Sequence, residues 1–301
     1  MKGFTAADVP DQTGKTIFIT GANAGLGFEA AKVLAGKGAR ILLGCRSQSK
    51  ASQAVADILI AHPDANIDII ALDLASLKSI KSAAAVVEQE ARLDVLINNA
   101  GIMFPPFELT TDGFESQFGV NHLGPFALTA LLLKKLRSNL NARVVSTASI
   151  AHKTSTIFFD DITAKKRYNP VTRYAQSKLA NLLFGYELQR RLFAVNDATL
   201  SVMAHPGIAE TELSRYVNGP LRMLMSLITP LMNSAAEGAW PTLLAATGNQ
   251  VASGDYYGPC KRLETAGPAI KVSSTRASHD VKVAKRLWEL SIDMTGIDPG
   301  I

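Results

Sequence analysis

The fold is decided by the stretch TIFITGANAGLGFEAAKVL, residues 16–34. Its first five residues, Thr16–Thr20, are mostly β-branched or aromatic and predict a short buried strand. Apolar residues recur at helical spacing over Leu26–Leu34, which predicts a helix. The glycines at positions 21, 25 and 27 lie between the two elements and permit a tight turn. We therefore predict a strand, a turn and a helix in this order.

The same alternation continues along the chain. Six further strands are predicted at Arg40–Gly44, Ile67–Ala71, Val95–Asn98, Ala142–Ser146, Thr199–Ala204 and, as the last edge strand, from Gly254 to Tyr257. The other predicted helices are Ala51–Ala61, Leu77–Ala91, Gly113–Leu140, Tyr174–Phe193, Ala235–Ala246 and His279–Leu290. Apolar strands that alternate with helices indicate parallel βαβ units buried on both faces. The predicted fold class is therefore α/β: a Rossmann-like, doubly wound parallel sheet of about seven strands with helices on both faces.

Composition and charge exclude several classes of protein. The chain has 301 residues, 47% of them hydrophobic and 19% charged, which is typical of a globular protein. Its net charge of +5 is scattered, and the densest basic run, 165–167, is too short to predict a nucleic-acid partner. Cys45 and Cys260 lie far apart, which predicts neither a disulfide framework nor a thiolate metal site. We expect no bound metal.

Targeting signals are not evident in the sequence. The first 15 residues lack the apolar core of a secretory signal. The longest apolar stretch, around 221–232, is interrupted by Arg222 and Pro230 and is shorter than the roughly 20 residues that a membrane span needs. We therefore expect a cytoplasmic protein without a transmembrane segment.

The glycine turn is the first candidate binding site. Backbone N–H groups and a helix N-terminus at such a junction can bind the pyrophosphate of a dinucleotide, although a similar turn can also merely connect two elements. No Gly-Lys-Ser/Thr follows the glycines, which excludes a P-loop. The candidate contacts are Gly21, Asn23, Ala24, Gly25, Leu26 and Gly27.

The end of the second strand predicts which dinucleotide is bound. In this type of fold that position faces the adenosine ribose, where an acid binds a 2′-hydroxyl and a cation binds a 2′-phosphate. Here it carries Arg46, with Lys50 four residues later and no carboxylate. NADP(H) is therefore favoured and NAD(H) possible, while the alternative is that both cations are solvated surface residues.

Tyr174 and Lys178 are candidates for acid–base chemistry. They are four residues apart on a predicted helix, so both side chains project from one face. A nearby ammonium favours the phenolate, and we expect Lys178 to lower the pKa of Tyr174. Such a pair also occurs by chance in many helices, so the spacing alone leaves a structural role open.

Three motifs in this order give the chain a resemblance to a known family. They are TGANAGLG at 20–27, NNAG at 98–101 and YAQSK at 174–178, and the chain resembles the short-chain dehydrogenase/reductase family over roughly its first 215 residues. Within it, CRS at 45–47, SIAHK at 149–153 and YAQSKLANLLF at 174–184 resemble the branch of retinol dehydrogenases, the WW-domain oxidoreductase and bacterial relatives. The resemblance implies an oxidoreductase that moves a hydride between a nicotinamide and a carbonyl or alcohol.

The resemblance also implies roles for four catalytic residues. Tyr174 would transfer the proton, Lys178 would bind the nicotinamide ribose, and Asn121 would interrupt the long helix and support a proton relay. Ser149 would bind the substrate oxygen, although Ala148 replaces the first serine of the family's Ser-Ser pair. The further cofactor contacts that it implies are Asp73, Leu74, Asn99, Ala100, Gly101, Thr147, Pro206, Gly207, Ile208 and Thr211, for each of which a purely structural role is the alternative.

The predicted organisation is a single domain over residues 1–301, with a cofactor half at about 14–150 and an inserted helical substrate lid at about 210–234. Apolar and methionine side chains at 212–232 suggest an accommodating pocket for an apolar carbonyl substrate. Plain helix packing, a subunit contact or a membrane-surface role are the alternatives for this segment. The resemblance also implies a homo-oligomer, a dimer or tetramer.

Two functions stay open at this point. The first is an active NADP(H)-dependent oxidoreductase, and the alternative is a catalytically silent NADP(H)-sensing interaction protein with the same fold. His122, His152 and His205 are not expected to act directly, because no carboxylate or second ligand is spaced in the sequence to pair with them.

Overall fold

Eight strands form one sheet in the computed structural model, which describes residues 3–208 and 233–301. Their spatial order is β3-β2-β1-β4-β5-β6-β7-β8, and all neighbours are parallel except β7 and β8. The strands are β1 (Thr16–Thr20), β2 (Arg40–Cys45), β3 (Ile67–Ala71), β4 (Val95–Asn98), β5 (Arg143–Thr147), β6 (Leu200–Ala204), β7 (Tyr256–Lys261) and β8 (Ala266–Lys271). The predicted α/β fold with its doubly wound sheet is confirmed.

Helices cover both faces of this sheet. In the described ranges they are α1 (Gly25–Gly36), α2 (Gln48–Ala61), α3 (Leu77–Val87), α4 (Ser116–Phe118), α5 (Gly124–Arg137), α6 (Pro170–Ala194), α7 (Ala235–Gly238), α8 (Trp240–Thr247) and α9 (Val281–Thr295). None of the helices in this part of the chain has the length and hydropathy that crossing a membrane requires.

The apolar strands bury one set of side chains on each face. Ile17 and Ile19 of β1 pack with α1, α2 and α8, while Phe18 between them packs with α3, α5, α6 and α9. This division follows from the alternation of side chains along a strand. Because all three side chains are fully buried, β1 lies in the middle of the core and fixes the position of the glycine turn that follows it.

The sheet differs from the prediction at its far edge. The predicted edge strand at 254–257 is β7, which runs from Tyr256 to Lys261, and an eighth, antiparallel strand covers it. This strand, AGPAIK, contains a glycine and a proline, which weaken a strand signal in sequence. The predicted helix at 235–246 is divided into α7 and α8 at Ala239, next to Pro241.

The predicted long helix at 113–140 is also interrupted. It consists of α4, a π-helical turn at Gly119–Leu123, and α5. A π turn inserts an extra residue in the helix, and such turns are frequent at functional sites. Asn121, expected to interrupt this helix, lies within the π turn. The predicted lid lies almost wholly outside the described residues.

The order of the strands places a crevice at the carboxyl edge of the sheet. β1 is paired with β2 on one side and with β4 on the other, so the chain changes direction of winding between β1 and β4. Loops after these strands diverge there, which leaves a crevice where α/β proteins bind ligands. Most of the predicted site residues follow β1, β2, β4, β5 or β6.

Candidate active site

A cleft lies at this carboxyl edge. An adjoining cleft shares part of its lining, so the two form one groove. The predicted residues that line the first cleft are Gly21, Asn23, Ala24, Gly25, Leu26, Arg46, Lys50, Asn99, Ala100, Gly101, Thr147, Tyr174, Lys178 and Pro206. Asp73 and Leu74 line the second. Residues from distant parts of the sequence are thus brought into one groove.

The glycine turn is tied to the neighbouring strands. The buried hydroxyl of Thr20 accepts hydrogen bonds from the backbone N–H groups of Asn99 and Ala100, each at 3.0 Å. The Asn99 side chain donates in turn to Thr20 O at 2.9 Å. A Cβ on Gly27 would come within 2.5 Å of Asn99 Nδ2 and Gly21 O, so only glycine fits there. The turn therefore has one fixed shape.

The helix that begins at this turn has no side-chain cap. Ala24 precedes α1 and has no side-chain oxygen for its first N–H groups. By contrast, α2, α3, α6 and α9 each begin at a residue whose side chain accepts such a bond, namely Ser47, Ser76, Asn169 and Asp280. Uncapped N–H groups and a positive helix end are suited to an anion. The residues present therefore fit the phosphates of a dinucleotide.

The loop after β2 brings two cations to the same cleft. Arg46 and Lys50 are both exposed and line it. Next to them, the buried Cys45 thiol accepts hydrogen bonds from the backbone of Ala22 and Asn23, and burial raises its pKa to about 11. Cys45 is therefore a neutral group that holds the glycine turn, a role not expected from the sequence.

Tyr174 lies at the inner end of the cleft. It is 7% exposed, and the edge of the Phe104 ring packs against its ring with centroids 5.4 Å apart. Burial raises the pKa of the Tyr174 hydroxyl, and a hydrogen bond with the Ser149 side chain opposes that rise. Ser149 is thus adjacent to the hydroxyl that the sequence singled out.

Lys178 does not lower the pKa of Tyr174 as the sequence predicts. Lys178 Nζ is 5.7 Å from the centre of the Tyr174 ring, but burial dominates and the tyrosine pKa is raised rather than lowered. Burial also lowers the pKa of Lys178 to about 8. The prediction was wrong in direction because both groups are removed from water, which disfavours both charged forms. Tyr174 is therefore a neutral phenol at neutral pH.

Lys178 is held at the end of β5 by the main chain. Its Nζ donates to Thr147 O at 3.2 Å, and Asn181 Nδ2 donates to the same oxygen at 3.0 Å. This bond uses one of the three N–H donors of the ammonium. The Thr147 hydroxyl is buried without a hydrogen-bond partner and lines the cleft. Both groups are placed to bind hydroxyls of a ligand.

Asn121 connects three elements beneath the cleft. Its side-chain oxygen accepts from Ile102 N at 2.8 Å, and its amide donates to Ile102 O at 3.0 Å and to Ser177 Oγ at 2.9 Å. Ser177 donates onward to Tyr174 O at 2.8 Å. The π turn presents Asn121 to the loop after β4, so its role in this structure is to hold that loop against α6.

Other predicted residues lie near the cleft without lining it. Gly207 and Ile208 belong to the turn after β6, where Ile208 N donates to Thr265 O at 3.0 Å. Thr211 lies outside the described residues. The Asn98 amide donates to Thr129 Oγ1 on α5 at 2.9 Å, which is a structural contact. Within 3–208 and 233–301, no group of three or more potential metal ligands is found.

Sequence reasoning missed Phe104. Its φ of 59° is rare for a bulky residue, and its N–H donates to Oε1 of the buried Gln117 at 3.0 Å. Gln117 Nε2 donates to Pro170 O at 3.0 Å, so Phe104 is anchored to the start of α6. No periodicity signals this conformation. The proline at 105 favours an extended conformation of the residue before it, so it gives no signal of this one.

Comparisons with known proteins show to which family the chain is similar. The sequence profile of the family described as short chain dehydrogenase matches residues 15–220. Human retinol dehydrogenase 12 is 41% identical over 287 residues, which cover 94% of this chain and 87% of that protein. Mouse retinol dehydrogenase 14 is 41% identical over 300 residues, covering 94% and 86%.

Solved structures give the same picture. The crystal structure of an uncharacterized protein from Mycobacterium paratuberculosis is 38% identical, covers 100% of both chains and superposes with a TM-score of 0.83. A short chain dehydrogenase structure from Pseudomonas syringae is 26% identical, covers 85% of this chain and 98% of the other, and has a TM-score of 0.65.

The contact between Thr20 and the loop after β4 can be tested by removing one oxygen. Thr20→Val keeps the shape of the side chain but leaves the N–H group of Ala100 without its acceptor and that of Asn99 with only Ile97 O. We expect the free energy of unfolding to fall by about 1–3 kcal/mol, measured by urea denaturation. Thr20→Ser retains the hydroxyl and should lose less. Equal stability of Thr20→Val and the unaltered protein would contradict this role.

Proposed function

This chain belongs to the short-chain dehydrogenase family and is an oxidoreductase that acts on CH–OH groups, and we propose that it interconverts an apolar carbonyl compound and its alcohol with NADP(H). The observation that carries the proposal is the convergence of Tyr174, Lys178 and Thr147 in the cleft that the glycine turn opens. The relatives described as retinol dehydrogenases support an apolar substrate of the retinoid type.

Tyr174 is the proton-transferring group of this proposal. Since burial raises its pKa, the hydroxyl is protonated at neutral pH and can donate to a carbonyl oxygen as the carbonyl carbon is reduced. In the reverse direction the same oxygen would take the proton of the alcohol. Ser149, in contact with this hydroxyl, would donate a hydrogen bond to the substrate oxygen and stabilise the charge that develops there.

Lys178 orients the cofactor and stabilises negative charge at Tyr174. Its ammonium, held at Thr147 O, would donate to the ribose hydroxyls next to the nicotinamide. When bound, the nicotinamide supplies or accepts the hydride. After Tyr174 gives up its proton, the positive charge on Lys178 favours the resulting phenolate. A charged Lys178 therefore supports the reaction, and a neutral one does not.

The loop after β2 supports the proposed preference for NADP(H). Arg46 can make charge-assisted, bidentate hydrogen bonds to a 2′-phosphate, and Lys50 adds a second cation at the same end of the cleft. A carboxylate that would bind an unphosphorylated ribose is absent from the strand end, Cys45.

The wall next to Tyr174 favours an apolar substrate. Ile102, Met103 and Ala148 line the cleft there, and the Phe104 ring packs on Tyr174. An apolar carbonyl compound loses little hydration on entering such a site, whereas a sugar would leave its hydroxyls without partners. We therefore propose an apolar ketone, aldehyde or alcohol as the substrate.

Replacing Tyr174 by phenylalanine tests the mechanism. Tyr174→Phe removes the proton donor, and we expect kcat for reduction of an apolar carbonyl with NADPH to fall about 10²–10⁴-fold. Tyr186→Phe is a matched control, because Tyr186 is also on α6 and its hydroxyl bonds Ser274 away from the cleft. Turnover by Tyr174→Phe equal to that of the control would falsify the mechanism.

The pH dependence tests the role of Lys178. Because its pKa is lowered to about 8, Lys178 is charged below that pH and neutral above it. We expect kcat/KM for reduction to be level below about pH 8 and to decline above it, with Tyr174 still protonated. Lys178→Arg stays charged, so the decline near pH 8 should disappear even if the rate is lower. A decline that persists in Lys178→Arg would assign the titration to another group.

Cofactor choice can be measured without a substrate. A thermal-shift titration of the purified protein should show larger stabilisation by NADP(H) than by NAD(H), because only a ligand of the native state raises the melting temperature. Arg46→Asp should abolish the difference. Lys285→Asp makes the same change of charge on α9 and should retain it.

The outcomes of this titration separate the functions. If neither nucleotide raises the melting temperature, the cleft is not a dinucleotide site and the proposal is rejected. A shift with NADP(H) without turnover of any carbonyl would favour the alternative, an NADP(H)-sensing interaction protein.

A further inference from the structure

Glu264 lies beside His205, 59 positions along the chain. It belongs to the hairpin turn between β7 and β8, and its Oε2 is 3.2 Å from His205 Nε2, close but not aligned as a linear hydrogen bond. The same oxygen is 3.3 Å from Lys153 Nζ, in the loop that contains Ser149. One carboxylate therefore contacts the loops after both β5 and β6.

The hydrogen bonds of His205 define its tautomer. Its Nδ1 accepts from Gly207 N at 3.2 Å, so the ring proton is on Nε2, which faces Glu264. The negative charge of Glu264 favours this tautomer, because it attracts the hydrogen on Nε2. If the proton moved to Nδ1, the N–H of Gly207 would lose its acceptor. Glu264 thus acts on the Pro206–Gly207 turn through His205.

The imidazole is fixed in place by its surroundings. His205 is 1% exposed, and the Tyr256 ring packs on it with centroids 5.1 Å apart. A Cβ on Gly258 would come within 2.0 Å of His205 Nε2, so β7 can pass here only with glycine. The ring therefore has no room to turn away from Gly207.

The turn is also tied to the same hairpin through Asn233 and directly by Thr265. Asn233, 2% exposed, donates from Nδ2 to Pro206 O at 3.3 Å and accepts from Gly267 N at 2.9 Å. Thr265 O accepts from Ile208 N at 3.0 Å, and a Cβ on Gly207 would come within 2.4 Å of that oxygen. Contacts from β8 and its turn thus enclose the segment that follows β6.

The backbone of the hairpin turn between β7 and β8 is strained. Arg262, Leu263 and Glu264 have φ values of 53°, 56° and 67°, a left-handed conformation that glycine or asparagine adopts readily and these residues do not. Strain of this kind persists at functional sites, and here it places Glu264 against His205.

We propose that Glu264 and His205 are positioning residues that hold the Pro206–Gly207 turn for the nicotinamide half of the dinucleotide. The inference rests on the proposed function, since Pro206 lines the same cleft as Tyr174 and Lys178. Neither residue touches the reacting atoms. The adenosine half would bind at the opposite end of the cleft, near Arg46, and should be indifferent to both residues.

The experiment compares a whole cofactor with half of one. The dissociation constants of NADPH and of 2′,5′-ADP, which lacks the nicotinamide half, are measured by calorimetry for the unaltered protein, Glu264→Ala, Glu264→Gln and His205→Gln. Lys271→Met is the control, because Lys271 pairs with Asp255 at the other end of the same hairpin. The Glu264 side chain is partly exposed, and we expect its substitution to leave the fold intact.

We expect Glu264→Ala and His205→Gln to weaken NADPH binding about five- to tenfold, as the loss of one positioning contact would. Binding of 2′,5′-ADP should be unchanged, and Glu264→Gln, which keeps an acceptor, should fall between. The control should bind both ligands as the unaltered protein does.

Two results would overturn the inference. Equal weakening of both ligands would indicate a general structural defect, and unchanged binding of both would show that the turn needs neither residue. If the unaltered protein binds neither ligand, the proposed function itself fails, and this outcome is distinct from the other two.

Discussion

The carbonyl oxygen of Thr147 accepts hydrogen bonds from Lys178 Nζ and Asn181 Nδ2, and much of the site depends on this junction. The two donors are one turn apart on α6, so a single oxygen at the end of β5 fixes both the rotation and the height of the helix. Tyr174, a further turn back, then faces the cleft beside Ser149. The sheet supplies the fixed end, and the helix carries the groups that react.

Two buried cations on α6, Arg173 and Lys178, differ in whether a carboxylate pairs with them. Arg173, buried on the same helix, is neutralised by Asp161 at 2.6 Å. Burial lowers the pKa of Lys178 with no such compensation, since its described hydrogen bond goes to a neutral carbonyl. A carboxylate next to Lys178 would stabilise its charged form, but the ammonium would then already be paired and less available to a ligand. The site therefore gives up some stability and keeps a cation that can respond to its ligand.

Local sequence patterns predicted the structure correctly where a segment determines its own conformation. Strand Thr16–Thr20 has the predicted bounds, and its glycine turn lies where the alternation of strand and helix required. The spacing of residues in the sequence could not reveal contacts between distant segments, and the carboxylate that contacts His205 comes from a turn 59 residues away. The strand β8 was not predicted because its glycine and proline weaken the sequence signal of a strand. The pKa of Tyr174 was misjudged because burial, which sequence does not give, outweighs the nearby ammonium.

Backbone strain is distributed around the cleft rather than within its reactive groups. Asn141 and Asn196 also have positive φ, but asparagine tolerates that conformation. Phe104, Ala164 and the turn at 262–264 do not. Of these, Phe104 and the turn lie at the loops after β4 and β7, where Gln117 and Thr265 hold them by hydrogen bonds. Ser149, by contrast, has extended backbone with φ of −159°. Because the supporting loops carry the strain, the residues proposed to react keep relaxed conformations while the walls around them are held in one arrangement.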